Sequence, residues 1–300
     1  MGYLFVIIAS VLFGTVPSVQ EYVIRQGASP LGLVILCNSA ASAAALLLAL
    51  LRKESLRVRG SVLLSLFLAG GVGLFLTDLL LNLAYARIPV GLTIMIHFLY
   101  PTIVSIAMML FFGEGFHFLK LGAILLSFGG LFCLFGGSLS ADRAGMLAAL
   151  ASAFCYGFYV ISNDRLTRTE TPVMVCAFYI NLSSVAVALG VHAFAKTAVI
   201  PFSPTPFLFG ITAGLMLCAG LVLLAAGIKR LGASRSAFLN MLEPVTSLII
   251  SSILEKTFPG WLTLMGSVLI VLSLTLYALC GQKTANRKTR LLTGDSPSLK

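Results

Sequence analysis

Polar and ionisable side chains stand beside a proline in the segment NMLEPVTSLI, which lies inside a long apolar run. Its chemically distinctive members are Asn240, Glu243 and Pro244. An amide and a carboxyl group can both hydrogen-bond a polar solute, and the carboxyl group can also carry a proton. Residues three or four positions apart share one face of a helix, so Asn240 and Glu243 form one polar face. The pattern indicates binding or proton-transfer chemistry at a site surrounded by apolar side chains.

A second segment, HFLYPTIVSI, repeats this arrangement with different side chains: His97 and Tyr100 precede Pro101. A proline inside a helix leaves the carbonyl four residues before it without a hydrogen bond and bends the helix. We therefore predict kinks at Pro101 and Pro244, with a central cavity between the two polar faces. Satisfying the kinked backbone and joining helices is the alternative role for these side chains. The residues predicted to line the cavity are Thr93, His97, Tyr100, Ser236, Asn240 and Glu243.

Other segments contribute further polar or aromatic candidates. Asp78 and Asn82 lie four residues apart on one helical face, where they could line the cavity or join two helices by hydrogen bonds. Tyr156 and Tyr159 could stack on a flat substrate or pack against other aromatic side chains. Gln20 lies close to the end of its apolar run, and we assign it to a solvated rim.

A proton is the coupling ion that these side chains suggest. Glu243 could take up a proton on one side of the membrane and release it on the other. His97 is the second candidate carrier, because imidazole ordinarily titrates near neutral pH.

The sequence lacks the residue sets of an intramembrane enzyme. Its three histidines lie in different segments, so no HExxH zinc motif forms, and Asp78 is the only aspartate deep in an apolar run. A Walker A sequence for ATP hydrolysis is also missing. We therefore expect no enzymatic activity, metal site or cofactor, and keep an intramembrane enzyme as a remote alternative.

The elements that carry these residues must lie in a membrane. Of the 300 residues, 59% are hydrophobic and only 10% are charged, whereas about 25% of the residues of a soluble domain are charged. A helix crosses the hydrocarbon core with about 20 apolar residues. Polar breaks divide the chain into ten such stretches, which predicts an all-α membrane protein. The expected spans are 3–24, 31–51, 61–83, 90–112, 118–138, 144–163, 172–194, 204–227, 234–254 and 261–281.

Lysine and arginine are distributed unevenly between the connections. If the N-terminus is cytoplasmic, 15 of the 20 basic residues fall on the cytoplasmic side, the side that positive charge favours. We therefore expect a multi-pass protein of the cytoplasmic membrane with both termini in the cytoplasm. The basic tail, 282–300, is expected to be disordered. No nucleic-acid partner is expected, since the chain has no basic domain that could bind one.

The two proline segments belong to an internal repeat. Aligning their prolines gives an offset of 143 residues, and offsets between 141 and 144 relate other pairs along the chain. Each half has five spans, an odd number, so the halves are expected to be inverted relative to each other. Inverted repeats are typical of secondary transporters, which bind substrate between the repeats. The matched pairs include Ser10 with Ser152, Asn38 with Asn181, Thr93 with Ser236, His97 with Asn240 and Tyr100 with Glu243.

The motifs YPTIVSIAMMLFFGE in the first half and LEPVTSLIISSILE in the second resemble the drug/metabolite transporter superfamily, EamA type. The resemblance covers about residues 3–281 and implies two EamA repeats, ten helices and both termini inside the cell. The first repeat is expected at 3–138, with spans one to five, and the second at 144–281, with spans six to ten. Leu254 replaces the glycine that usually precedes the second glutamate.

Transport of a small solute across the membrane by alternating access, in the export direction, is therefore the expected function. The predicted polar faces carry no lysine or arginine, which disfavours phosphorylated substrates and favours amino-acid-like, neutral or cationic metabolites. A lipid-carrier flippase on the same fold is the alternative, and it would need an opening towards the lipid. Proton coupling, exchange, facilitated diffusion and the oligomeric state stay open.

Overall fold

The chain is described here by a computed structural model, and it is built from helices. No strand occurs among the described residues, as the predicted all-α class requires. The described residues are 1–88, 90–113, 118–135, 142–200, 203–247, 249, 260–262, 264–273 and 275–276. The helices are α1 (Gly2–Arg25), α2 (Pro30–Leu51), α3 (Gly60–Leu68), a π-helix (Ala69–Leu74), α4 (Phe75–Tyr85), α5 (Val90–His97), α6 (Tyr100–Phe112), α7 (Phe118–Phe135), α8 (Arg143–Leu166), α9 (Val173–Ala195), α10 (Pro204–Leu231), α11 (Ala233–Leu239) and a 3₁₀-helix (Asn240–Leu242).

Seven helical segments among the described residues are long and apolar enough to cross a membrane. They correspond to predicted spans one to four and six to eight. Predicted spans five, nine and ten fall partly outside the described residues, and the predicted tail 282–300 falls wholly outside them. The seven segments are Gly2–Arg25, Pro30–Leu51, Gly60–Tyr85, Leu92–Phe112, Arg143–Leu166, Val173–Ala195 and Pro204–Leu231.

Large apolar side chains cover the outer faces of these helices. Leu64, Phe154 and Leu208 are each more than half exposed. A helix that is apolar on its outer face as well as its inner one is typical of a membrane span, where lipid covers the outer face. The surface therefore indicates a multi-pass membrane protein.

The third span is interrupted by a π-helix that the sequence pattern did not predict. Its sequence, AGGVGL, is rich in glycine, and α3 and α4 continue it on either side. Gly70 lies so close to α9 that a methyl group there would collide with the backbone carbonyl of Ile180. Gly73 lies against Tyr159 of α8, where an added methyl group would be 3.0 Å from Cβ of that tyrosine. The small residues thus let the third span approach two helices at once, and the π turn accommodates that approach.

The fourth span is broken just before its proline. α5 ends at His97 and α6 begins at Tyr100, so Pro101 occupies the first turn of α6, where a missing N–H costs least. In the second half, α11 gives way to the 3₁₀-helix Asn240–Leu242 immediately before Glu243 and Pro244. In both halves, therefore, the polar residues that precede the proline lie where the regular backbone hydrogen bonds of the helix are interrupted.

The long helices pack in related pairs around these breaks. α1 packs against α10 and α4 against α8, while α2 packs against both α9 and α10. Gly210 and Gly214, four residues apart on α10, face α2, where side chains added to them would meet Leu36 and the carbonyl of Cys37. This glycine pair therefore allows close packing of α10 against α2, which is the ordinary role of such a pair.

Candidate binding site

A narrow cavity lies among α1, α4, α5, α8, α10 and the segment that follows the 3₁₀-helix. It offers about 70 Å³ of space to the centres of water molecules, enough for several waters, whereas drug-sized ligands occupy cavities of about 300–1,000 Å³. Binding a metabolite therefore requires the walls to move apart. The lining residues are Phe13, Val16, Pro17, Gln20, Leu74, Thr77, Asp78, Leu81, Tyr85, His97, Tyr156, Leu217, Leu221 and Glu243.

Two helices supply most of the wall, each through one helical face. On the third span the lining residues recur from Leu74 to Tyr85 at intervals of three and four, and on α1 they run from Phe13 to Gln20 in the same way. The hydroxyl of Thr77 donates to the carbonyl of Gly73 at 2.7 Å, inside the π turn. This turn sets the rotation of α4 and so aims its polar face at the cavity.

Asp78 is held by an asparagine of a neighbouring helix. Nδ2 of Asn38, on α2, donates to Oδ2 of Asp78 at 2.8 Å and to the carbonyl of Val34 at 3.1 Å. Asn38 is itself buried. It fixes the position of the carboxylate while one carboxylate oxygen stays available to a partner in the cavity.

His97 is anchored by a serine that also determines its tautomer. Ser152 Oγ donates to the carbonyl of Ala149 at 2.6 Å and lies 2.9 Å from Nδ1 of His97. A hydroxyl has one proton, so Ser152 can only accept from the imidazole. This assigns the proton to Nδ1 and leaves Nε2 of the neutral ring as an acceptor.

Glu243 is anchored in the same manner as Asp78. Nδ2 of Asn240 donates to Oε2 of Glu243 at 3.1 Å, while Oδ1 of Asn240 lies 3.0 Å from Ser10 Oγ, whose single proton is shared between this oxygen and the Val6 carbonyl at 2.8 Å. Thr246 reinforces the junction, since its hydroxyl lies within hydrogen-bond distance of the Glu243 and Ser10 carbonyls. The second helix break is thus tied to α1.

The two helix breaks are anchored by matched serines. Ser10 on α1 contacts Asn240, and Ser152 on α8 contacts His97. The 143-residue repeat pairs Asn240 with His97, and a nearly equal offset pairs the two serines. An equivalent contact therefore joins each helix break to the other half, through an amide at the second break and an imidazole at the first.

Three tyrosine rings, those of Tyr100, Tyr156 and Tyr159, pack together beside the cavity. Tyr156 makes an edge-to-face contact with Tyr100 at 4.7 Å between ring centroids and stacks on Tyr159 at 5.5 Å. The Tyr100 hydroxyl donates to the carbonyl of Ala237 at 3.2 Å, which joins α6 to α11. Of the three tyrosines, Tyr156 alone reaches the cavity. Aromatic packing, the alternative that the sequence left open, thus describes Tyr159.

Comparison with known proteins gives the site its context. The model of the EamA-like transporter family matches the chain twice, over residues 1–136 and 143–279. The chain belongs to the EamA-like transporter family. A solved structure described as "Crystal structure of protein" has the same fold, with a TM-score of 0.80 and 20% identity, and the alignment covers 94% of this chain and 98% of that one. No curated protein matches the sequence.

Four of the ten predicted binding residues of this EamA family member line the cavity: Asp78, His97, Tyr156 and Glu243. The other six do not line it in this conformation, because they lie in contacts between helices. Among them, neither amide atom of Asn82 nor the hydroxyl of Ser236 has a hydrogen-bond partner in the described part of the chain. The six buried residues are Thr93, Asn82, Tyr100, Tyr159, Ser236 and Asn240.

The prediction for Gln20 was wrong. This side chain is only 8% exposed and lines the cavity instead of forming a solvated rim. Pro17 lies three residues before it inside α1, so the sequence did contain a proline and a polar residue on one face, as in the two main segments. Asn38 was missed as an anchor of Asp78, although its match to Asn181 marked it as a repeated buried amide.

Within the part of the chain that the structure describes, no three His, Cys, Asp or Glu side chains lie close enough together to hold a metal ion. The cavity lining offers carboxyl, imidazole, amide and hydroxyl groups that can form hydrogen bonds.

Proposed function

We propose that the protein is a secondary transporter that moves a small amino-acid-like, neutral or cationic metabolite across the cytoplasmic membrane by alternating access, in the export direction. One observation carries this proposal: an acid-lined cavity lies between residues from both halves of the chain. Asp78 and His97 come from the first half, and Tyr156 and Glu243 from the second. A transporter built from repeats binds its substrate between them.

The charge of the lining supports the substrate class. Two carboxyl groups, of Asp78 and Glu243, face the cavity, and no lysine or arginine is among the lining residues. The assigned tautomer of His97 adds a further acceptor. A cavity rich in acceptors suits a solute with ammonium or other N–H donors, and it disfavours a phosphorylated one, which would need cationic partners.

Alternating access requires a path that is open at one end and closed at the other. The cavity extends towards the C-terminal ends of α1 and α4, the side that the charge distribution assigns to the exterior. Beyond Tyr156 and Tyr159, a void of only about 10 Å³ continues between α8, α9 and α10. Among the described residues, Nδ2 of Asn163 and Oδ1 of Asn181 border this void without partners. Water would satisfy both atoms when the inner end opens, which favours opening there.

Protons are the proposed coupling ion, with Glu243 as the carrier. Its carboxylate is held by one amide, that of Asn240. A proton and a cationic substrate would then compete for the same carboxylate. Such competition couples the movement of one to the return of the other.

Counterflow into proteoliposomes tests the proposal. Labelled amino acids, amines, sugars and phosphorylated sugars are compared for the native protein and for Asp78→Asn and Glu243→Gln. We expect donor-rich amines or amino acids to be exchanged, and each variant to lower their uptake roughly tenfold or more, since a hydrogen bond to a charged group contributes about 1.5–3 kcal/mol. Glu243→Gln should also abolish uphill transport driven by a pH gradient.

Glu21→Gln is the matched control, because Glu21 lies on α1 next to Gln20 but pairs with Arg25 and does not line the cavity. This variant should transport like the native protein. Preferred transport of phosphorylated sugars, or activity on lipid-linked substrates alone, would contradict the proposal.

A further inference from the structure

A second cavity system lies outside the transport path, where α3 begins and α8 ends. Its upper part is a depression of about 570 Å³ between the connection that precedes α3 and the connection that follows α8. Its lower part is a groove of about 350 Å³ that runs along α3 and α8. Val62 and Thr169 line both parts, so the two form one continuous groove. We refer to it as the α3–α8 groove.

The upper part of the α3–α8 groove is basic. Arg57, Arg59 and Arg168 line it together with a single acid, Glu170. Arg168 is neutralised by Asp164, whose Oδ2 it contacts at 2.8 Å. Arg57 and Arg59 are exposed, and neither has an ion-pair partner in the described part of the chain. Two guanidinium groups are therefore available to an anion at the mouth of the groove.

The lower part of the groove is largely apolar with a few hydroxyl groups; one arginine, Arg165, also lines it, and its guanidinium lies over the ring of Phe112. Leu68 and Phe158 form opposite walls, and both are exposed on the lipid-facing surface. Ser61 and Ser162 also line it and add hydroxyl groups. From its mouth inwards the groove thus presents cationic groups, then hydroxyl donors, then hydrocarbon.

This order matches the order of groups along a phospholipid: phosphate, glycerol esters and acyl chain. We propose that the α3–α8 groove holds one anionic phospholipid, with its phosphate between Arg57 and Arg59 and an acyl chain between Leu68 and Phe158. The groove opens on the side that the charge distribution assigns to the cytoplasm, where the leaflet is rich in anionic lipid. The site does not involve the central cavity, so it is independent of the transported solute.

The two parts of the groove exclude simpler ligands. A free phosphate would use the arginines and leave the apolar part unfilled, whereas a zwitterionic lipid would bring its own cation close to two guanidinium groups. Of these three ligands, only an anionic lipid would both pair with the arginines at the mouth and fill the apolar part of the groove. Arginine also suits the role, because its planar fork matches the oxygens of a phosphate.

Lipid titration of the purified full-length protein in detergent tests this site. Native mass spectrometry would count bound lipid while phosphatidylglycerol or phosphatidylcholine is added, and glycerol 3-phosphate serves as the free anion. We expect one phosphatidylglycerol to bind well ahead of further copies, and glycerol 3-phosphate not to displace it. Because an arginine near the membrane surface strengthens binding about fivefold, Arg57→Gln/Arg59→Gln should weaken it roughly 25-fold.

Two matched controls distinguish lipid binding in the α3–α8 groove from nonspecific attraction of lipid to the basic or apolar surface. Arg52→Gln/Lys53→Gln removes the same charge from the same connection but outside the groove, and should bind lipid like the native protein. Ser65→Trp fills the lower part and should also weaken binding, whereas Leu64→Trp, on the neighbouring lipid-facing position, should not. Equal binding of the two lipids, displacement by glycerol 3-phosphate, or equal losses in a variant and its control would each overturn the proposal.

Discussion

At the scale of single residues, the two acids of the cavity are held in the same way. Asp78 accepts a hydrogen bond from Asn38, and Glu243 accepts one from Asn240. A neutral amide offsets only part of the cost of removing a carboxylate from water. Under the proposed function, a proton or a cationic substrate would supply the remainder.

Another carboxylate, that of Asp142, lies outside the membrane spans and is the N-cap of α8. Its Oδ1 accepts from the backbone N–H of Gly145 at 2.9 Å, and its Oδ2 lies 3.5 Å from Arg87. The hydrogen bond from Gly145 and the nearby Arg87 charge hold the pKa of Asp142 below its ordinary value. A lowered folded-state pKa stabilises the fold above the unfolded-state pKa, near 3.9, and this contribution is lost as the pH falls through the lower value.

We therefore predict that Asp142→Asn lowers the melting temperature of the detergent-solubilised protein at pH 7, with a smaller difference from the native protein below about pH 4. Thermal unfolding across this pH range measures the effect. Asn is also a good helix N-cap, so the variant isolates the charge from the cap. A difference that does not change with pH would show that Asp142 acts without its charge.

The residues that sequence reasoning identified were those with a local signal. Glu243 and His97 were found because ionisable groups in an apolar run are costly, and both line the cavity. Asn38 could not be assigned to Asp78, because the contact joins residues 40 positions apart and depends on how α2 meets α4. Tyr100 shares a face with His97 but lies inside the contact with α11, which periodicity alone does not reveal.

At the scale of helices, the π turn of the third span determines which side chains reach the cavity. It precedes Thr77 and Asp78 directly, and an added residue in one turn rotates everything that follows. The sequence predicted a single regular span over 61–83. The interruption arises from close contact with α8 and α9, so it is a product of tertiary packing rather than of local preference.

The close approach at Gly70 makes a stability prediction. Gly70→Ala places a methyl group against the carbonyl of Ile180, and we expect it to destabilise the protein by about 1–3 kcal/mol. Gly190→Ala, on α9 with open space around it, should instead be neutral or stabilising by about 0.5–1 kcal/mol. Thermal unfolding in detergent compares the two, and equal effects would contradict the packing argument.

At the scale of the whole molecule, the repeat relates contacts as well as motifs. Each helix break is anchored by a serine of the other half, the first break by Ser152 on α8 and the second by Ser10 on α1, and α1 meets α10 as α4 meets α8. Membership of the EamA-like family, seen twice along the chain, agrees with this division. The inverted orientation of the halves and the count of ten spans stay predictions.

Reporter fusions test the predicted orientation. With both termini in the cytoplasm, a C-terminal green fluorescent protein should fluoresce and a C-terminal alkaline phosphatase should be inactive. A phosphatase inserted into the connection between α9 and α10, at about residue 197, should be active, since that connection is predicted to be external. The reverse pattern would invert the topology and move the α3–α8 groove to the outer leaflet.

The unequal partners of the two anchoring serines have an energetic consequence. Two identical inverted halves would give the inward-open and outward-open states equal free energy, since each state is the other with the halves exchanged. Here Ser10 contacts the amide of Asn240, whereas Ser152 contacts the imidazole of His97, so the two anchors are not identical. The two states therefore differ in free energy, and we expect the protein to rest in one orientation before any substrate arrives.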